Sequence, residues 1–134
     1  MTLDDLVALA AARVRRYTPE ESQAAAAHGA VIVDIRGAEA RERDGAIPGA
    51  RHVPRTVLEW RVAARDWRNP ALDGQRLILV CDEGDSSPLA AATLLDLGAA
   101  AGDVIGGFAA WRAAGLPTTR PRAHDGLPGT GPPD

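Results

Sequence analysis

Two short runs of nearly unbroken apolar residues constrain this chain more than any other feature. They are AVIVDIR at residues 30–36 and QRLILVC at residues 75–81. Neither alternates polar with apolar, so neither suits a sheet with one wet face. Runs of this length, rich in Val, Ile and Leu, read as strands covered on both sides. Helical segments separate them. TPEESQAAAAHG carries a capping box, with Thr18 as cap, Pro19 at the first helical position and Glu21 three residues on, and Gly29 as its stop. GAEARERDG reads as a short charged helix, and TVLEWRVAARDW as a helix capped by Thr56. SPLAAATLLDLG reads as a helix with Ser87 as cap, Pro88 at the first position and Gly98 as stop. RVRRY reads as an edge strand, AIPGARHVP as a turn with a brief strand, GDVIGG as a third short strand and FAAWRAAG as a last helix. Strands alternating with helices predict an α/β fold with a mainly parallel sheet and helices on both faces.

At 134 residues the chain suits one domain. Residues 1–12 form a helical extension with Leu3, Leu6, Val7 and Ala10 on one face. Residues 118–134 are rich in proline and glycine, lack an apolar period, and are expected to be a disordered tail. A formal net charge of −3 argues against a nucleic-acid partner, which calls for a basic face. No apolar run approaches the roughly 20 residues of a membrane span. Asp4 and Asp5 stand where a signal peptide is basic. The single cysteine forms no internal disulfide and suits a reducing compartment, so the expectation is a cytoplasmic protein.

That cysteine, Cys81, ends the second buried run, and a helix starts a few residues later. Gly84 permits a positive φ, and Ser86 and Ser87 let the backbone curl. A curl that opens a helix points backbone N–H groups into one concavity, an anion nest that favours the nucleophilic thiolate. Asp82, Glu83 and Asp85 surround it. A carboxylate about 6 Å from a thiolate costs roughly 0.7 kcal/mol in water-like surroundings and about 3 kcal/mol at an effective dielectric of about 20. A helix N-terminus returns only about 0.3–1 kcal/mol. The three acids are therefore expected to point outward, as a rim around the nest.

Four segments resemble the signatures of single-domain rhodaneses. VIVDIRGAEARERDGAIPGARHVP holds Asp34 and Arg36 of a D-x-R strand end and the turn Ile47-Pro48-Gly49-Ala50. LVCDEGDSS matches a C-x-x-G-x-R-S loop from Cys81 to Ser87. The stretch from Asp96 to Pro117 holds Ile105-Gly106-Gly107 and Trp111 of an L-x-G-G-x-x-x-W segment. The resemblance spans residues 13–117, in order and at family spacing. It implies a rhodanese-like five-stranded sheet and a sulfurtransferase. On that resemblance Cys81 is expected to take a sulfane sulfur from thiosulfate or a persulfide donor and pass it to a thiophilic acceptor, such as a thiol protein, and Asp82 to Ser87 are expected to form the substrate-binding loop. Asp34, Arg36 and Arg55 are expected to support it, the two arginines as candidates to pair a loop acid or grip a sulfonate. No metal or organic cofactor is implied, and His28, His52 and His124 show no ligand spacing, although His52 stands close to the Pro48–Gly49 turn. The chain departs from the pattern at Ala46, where the family has histidine, and at Ser86, where it has arginine. The lost arginine and the added acids make a non-catalytic binding module the alternative. Phosphatases of this fold carry arginine six positions after the cysteine, where this chain has Ser87, so phosphoryl transfer is not expected.

Overall fold

The computed structural model describes residues 1–127. Its elements run α1 (Leu3–Arg13), β1 (Arg15–Tyr17), α2 (Pro19–Ala27), β2 (Val31–Asp34), α3 (Ala38–Asp44), β3 (Arg51–His52), α4 (Leu58–Ala63), β4 (Arg76–Val80), α5 (Ser87–Asp96), β5 (Ala100–Val104) and α6 (Gly107–Ala113). The five strands make one sheet in the order β1-β5-β4-β2-β3, with every pairing parallel. The strand that carries the cysteine is central.

Side chains of a strand alternate between faces. On β4, Leu77 and Leu79 join Cys81 in the apolar layer under α1, α4 and α5, with Val33, Leu58, Ala90, Ala91 and Leu94. Ile78 and Val80 face the opposite layer, with Tyr17, Ile32, Val104, Phe108 and Trp111 under α2 and α6. Burying a side chain such as Leu79 stabilises the fold by about 1.5–3 kcal/mol. Both apolar runs are thus covered on both sides, as their composition demands.

The capping box of α2 forms as expected: Glu21 N–H donates to Thr18 Oγ1, and Thr18 N–H to the Glu21 carboxylate. Other boundaries differ. Thr56 caps nothing, because Arg55 N–H is pinned to Ile35 O and the chain makes a 3-10 turn over Arg55–Val57 before α4 begins at Leu58. The last strand starts at Ala100, two residues before the sequence signal. On α1 only Ala10 is buried, while Leu3 and Leu6 are exposed, because the helix meets the core only at its C-terminal end.

The expected tail is corrected over residues 118–127, which form a strap along the β3 edge. Thr119 and Ala46 exchange backbone hydrogen bonds of 2.8 Å in both directions. Gly126 bridges His52, and Arg51 Nη2 donates to Gly126 O at 2.7 Å. Asp125 meets Arg41 at 3.0 Å, and Leu127 packs on the core. Proline and glycine erase the periodic signal of a regular element, yet an unpaired strand edge and a buried arginine hold the segment. The expectation for residues 128–134 lies outside the described residues.

Candidate active site

Cys81 follows the central strand at its carboxyl end, where open parallel sheets bind ligands. Its side chain is 6% exposed. The turn behind it works through glycine. Gly84 has φ +88°, and a Cβ there would lie 2.6 Å from the Gly106 nitrogen. Gly107 has φ +62°, and a Cβ there would lie 2.5 Å from Cys81 O. The β5–α6 turn therefore packs backbone on backbone against the cysteine loop. Phe108 N–H donates to Cys81 O at 2.9 Å and Ala109 N–H to Asp82 O at 3.0 Å. The glycine pair brings the start of α6 close enough to hold the loop.

Inside the curl, Gly84 N–H donates to Cys81 Sγ at 3.1 Å. The thiol donates to Ser87 Oγ at 3.3 Å. Burial pushes the Cys81 thiol up, but the hydrogen bonds that the Ser87 and Ser86 hydroxyls give once turned to the thiolate, and then those of their backbone N–H groups, outweigh it, and the thiol sits below its ordinary value. Ser87 is not a cap. It is the first residue of α5 and its hydroxyl turns inward, donating to Asp103 Oδ2 at 2.7 Å. Asp82, Glu83 and Asp85 are all exposed.

A cavity of about 510 Å³ opens over the sulfur. Ile35, Arg36, Gly37 and Arg55 line it together with Cys81, Asp82, Glu83, Asp85 and Ser86. Each of these arginines already stands in an ion pair. Arg55 Nη1 donates to both carboxylate oxygens of Glu59, at 2.7 and 2.8 Å. Arg36 is buried and spends its Nε and Nη2 on Asp34 at 3.0 and 2.9 Å, with Nη2 also on Gly45 O. Its Nη1 has no hydrogen-bond partner, and the Phe108 ring 4.0 Å away offsets part of that cost. Asp34 stays out of the cavity and binds Arg36 and Arg41. His52 is also drawn elsewhere, with Nε2 on Arg36 O at 2.8 Å. A second cavity of about 510 Å³, near Ile47 and Trp111, is mostly apolar and holds no nucleophile. Among the described residues no cluster of His, Cys, Asp and Glu has the makings of a metal site.

Sequence reasoning missed Arg16 and Asp103. Asp103 has no exposed surface. Arg16 clamps it through Nε and Nη2, both at 3.0 Å, and Nη2 also donates to Gly84 O at 3.1 Å. The bond to Asp103 is the main reason that Arg16 is held more firmly charged than usual. An acid closing an apolar strand was the available signal, the same one that marked Asp34.

The rhodanese-like domain family matches residues 18–114. Thiosulfate sulfurtransferase GlpE of Pseudomonas entomophila is 40% identical over 99 residues, covering 73% of this chain and 84% of that protein. GlpE of Pseudomonas savastanoi pv. phaseolicola is 36% identical over 100 residues, 74% of this chain and 88% of that protein. Among solved structures, a protein of unknown function from Rhodopseudomonas palustris, described as a possible tyrosine phosphatase, superposes with a TM-score of 0.82. It is 31% identical and covers 88% of this chain and 94% of its own.

Proposed function

The chain belongs to the rhodanese-like family, and from that premise we propose that it is a sulfurtransferase whose nucleophile is Cys81. One observation carries the assignment of the residue: the chain's single cysteine ends the central strand inside a nest, with Gly84 N–H 3.1 Å from its sulfur. The two GlpE relatives are thiosulfate sulfurtransferases, which supplies the donor class. The thiolate attacks the outer sulfur of thiosulfate. A new S–S bond forms on Cys81, the old one breaks, and sulfite leaves with the electron pair. The outer sulfur of the persulfide carries the negative charge and faces fixed N–H dipoles. A thiophilic acceptor such as cyanide or a protein thiol then takes that sulfur, and the thiolate returns.

Asp82, Glu83 and Asp85 oppose the approach of a dianion, and Arg55 and Arg36 are already paired. Neutral or cationic persulfides are therefore the better donors. Phosphoryl transfer fits poorly, since Ser87 stands where a phosphatase loop needs its arginine. Among the described residues no helix is long and apolar enough to cross a membrane. A catalyst with one thiol needs reducing surroundings, which favours the cytoplasm.

The test is intact mass after incubation with thiosulfate or a small persulfide. A gain of about 32 Da, one sulfur atom, that is absent in Cys81→Ser is the expected result. A Cys81 that neither donor loads would overturn the reading.

A further inference from the structure

Behind the sulfur lies a chain of groups to which sulfur transfer by itself assigns no part: Ser87, Asp103 and Arg16. Ser87 has one hydroxyl hydrogen. In the resting geometry that hydrogen goes to Asp103 Oδ2 at 2.7 Å, and the Ser87 oxygen accepts from the Cys81 thiol at 3.3 Å. A thiolate cannot donate. To be stabilised by Ser87 it must draw the hydroxyl hydrogen off Asp103, which is fully buried and would keep only its Arg16 bonds. Arg16 works in the opposite sense. It neutralises Asp103 and anchors Gly84 O, the carbonyl of the residue whose N–H faces the sulfur.

We propose that Asp103 is a positioning residue of the sulfur-transfer site, holding the Ser87 hydroxyl hydrogen and so restraining ionisation of the unloaded Cys81. The proposal rests on Cys81 being the sulfur carrier. When Cys81 ionises, its proton leaves to solvent, the Ser87 O–H turns from Asp103 to Sγ, and no bond between heavy atoms changes. In the persulfide the charge sits one S–S bond further out, about 2.05 Å, and Ser87 stays with Asp103. The restraint thus falls on the empty thiol and spares the loaded one. The other charged groups around the sulfur do not share this link. Asp82, Glu83 and Asp85 stand exposed on the rim, Arg36 is tied to Asp34, and Arg55 is tied to Glu59.

Alkylation by iodoacetamide as a function of pH tests this without any sulfur transfer, and Cys81 is the only thiol to react. Asp103→Asn should lower the alkylation midpoint by about half a pH unit or more, because a neutral amide oxygen holds the Ser87 hydroxyl hydrogen less tightly than a carboxylate and yields it to the sulfur more readily. In a Ser87→Ala background the same substitution should move the midpoint by less than half as much. A folded Asp103→Asn protein with an unmoved or raised midpoint would overturn the proposal. So would an equal shift without Ser87, since Asp103 would then act by charge alone. Should Asp103→Asn fail to fold, carboxyl-carbon NMR of the unaltered protein decides. The Asp103 resonance should shift through the Cys81 alkylation midpoint and hold its thiol-state position once the persulfide is loaded; a flat response at that midpoint refutes the link. Failure of persulfide loading would refute the sulfur-transfer reading while leaving these midpoints intact.

Discussion

Asp34 and Asp103 stand on strands β2 and β5, the two neighbours of the cysteine strand, and both are fully buried. Each is clamped by arginine, yet the two clusters do different things. Asp34 is saturated: Arg36 gives it three N–H bonds and Arg41 a fourth, and Arg41 continues to Asp125 on the strap. None of those bonds reaches the nucleophile. Asp103 has one arginine, and its other partner is a serine that touches the nucleophile. A buried carboxylate whose donors are all guanidinium or backbone N–H is a structural clamp. One that shares a rotatable hydroxyl with a thiol is coupled to the reaction. The contrast lies in the second partner, not in burial or charge.

The largest expected effect removes the reacting atom from one side only. Cys81→Ser should lower sulfur transfer to cyanide by about a thousandfold or more and leave the melting temperature within a few degrees. Retention of most activity would place the chemistry elsewhere. On the clamp side, Asp34→Ala leaves two buried arginines short of their anion and should destabilise the fold by about 3–5 kcal/mol, with activity per folded molecule retained. A near-neutral result in urea denaturation would show that the cluster is not a clamp.

A chain ending at Thr118 loses Asp125 and the Gly126 bridge. It should lose about 2–4 kcal/mol, again with turnover preserved. A melting curve indistinguishable from that of the full chain would deny the strap its role. The strap also has a pH signature. Burial pushes the Asp125 carboxyl up, but the Arg122 amide and Arg41 outweigh it and hold it below the ordinary carboxylate value. A carboxyl depressed in the folded state contributes its full stability above the unfolded value and loses it as pH falls through the folded one. Acid should therefore erase the difference in stability between the native protein and Asp125→Asn, and a difference that persists at low pH would contradict the ion pair.

The smallest effect concerns the rim. Glu83→Gln with Asp85→Asn should raise kcat/KM for thiosulfate by about two- to tenfold at low salt, and the gain should shrink as ionic strength rises. Equal use of thiosulfate by both proteins at low salt would mean that the acids do not gate the site.

Much of this was legible from local pattern. The apolar runs marked β2 and β4, Thr18-Pro19 with Glu21 marked the start of α2, and Cys81 with Gly84 marked the nest. The errors share a cause. Thr56 and Ser87 both look like helix caps, since each is a hydroxyl residue at the head of an apolar period. The residue before one, Arg55, is pinned by its backbone N–H to Ile35 O, and a buried carboxylate takes the hydroxyl of the other. Arg36 and Arg55 are well placed by chain position to hold an anion, but their charges are already spent on Asp34 and Glu59.

By itself the sequence determined the parallel sheet, the place of the thiol at the end of a buried strand and the outward rim. These follow from short-range rules, namely apolar runs, glycine turns and caps, that act within a few residues of their cause. Only the tertiary structure decided what each polar group is bonded to. Arg16 reaches Asp103 across 87 positions and Arg41 reaches Asp125 across 84. A buried hydroxyl or guanidinium takes whichever partner the packed elements bring within about 3 Å. That competition is resolved by groups distant in the chain, so no local window can contain its outcome.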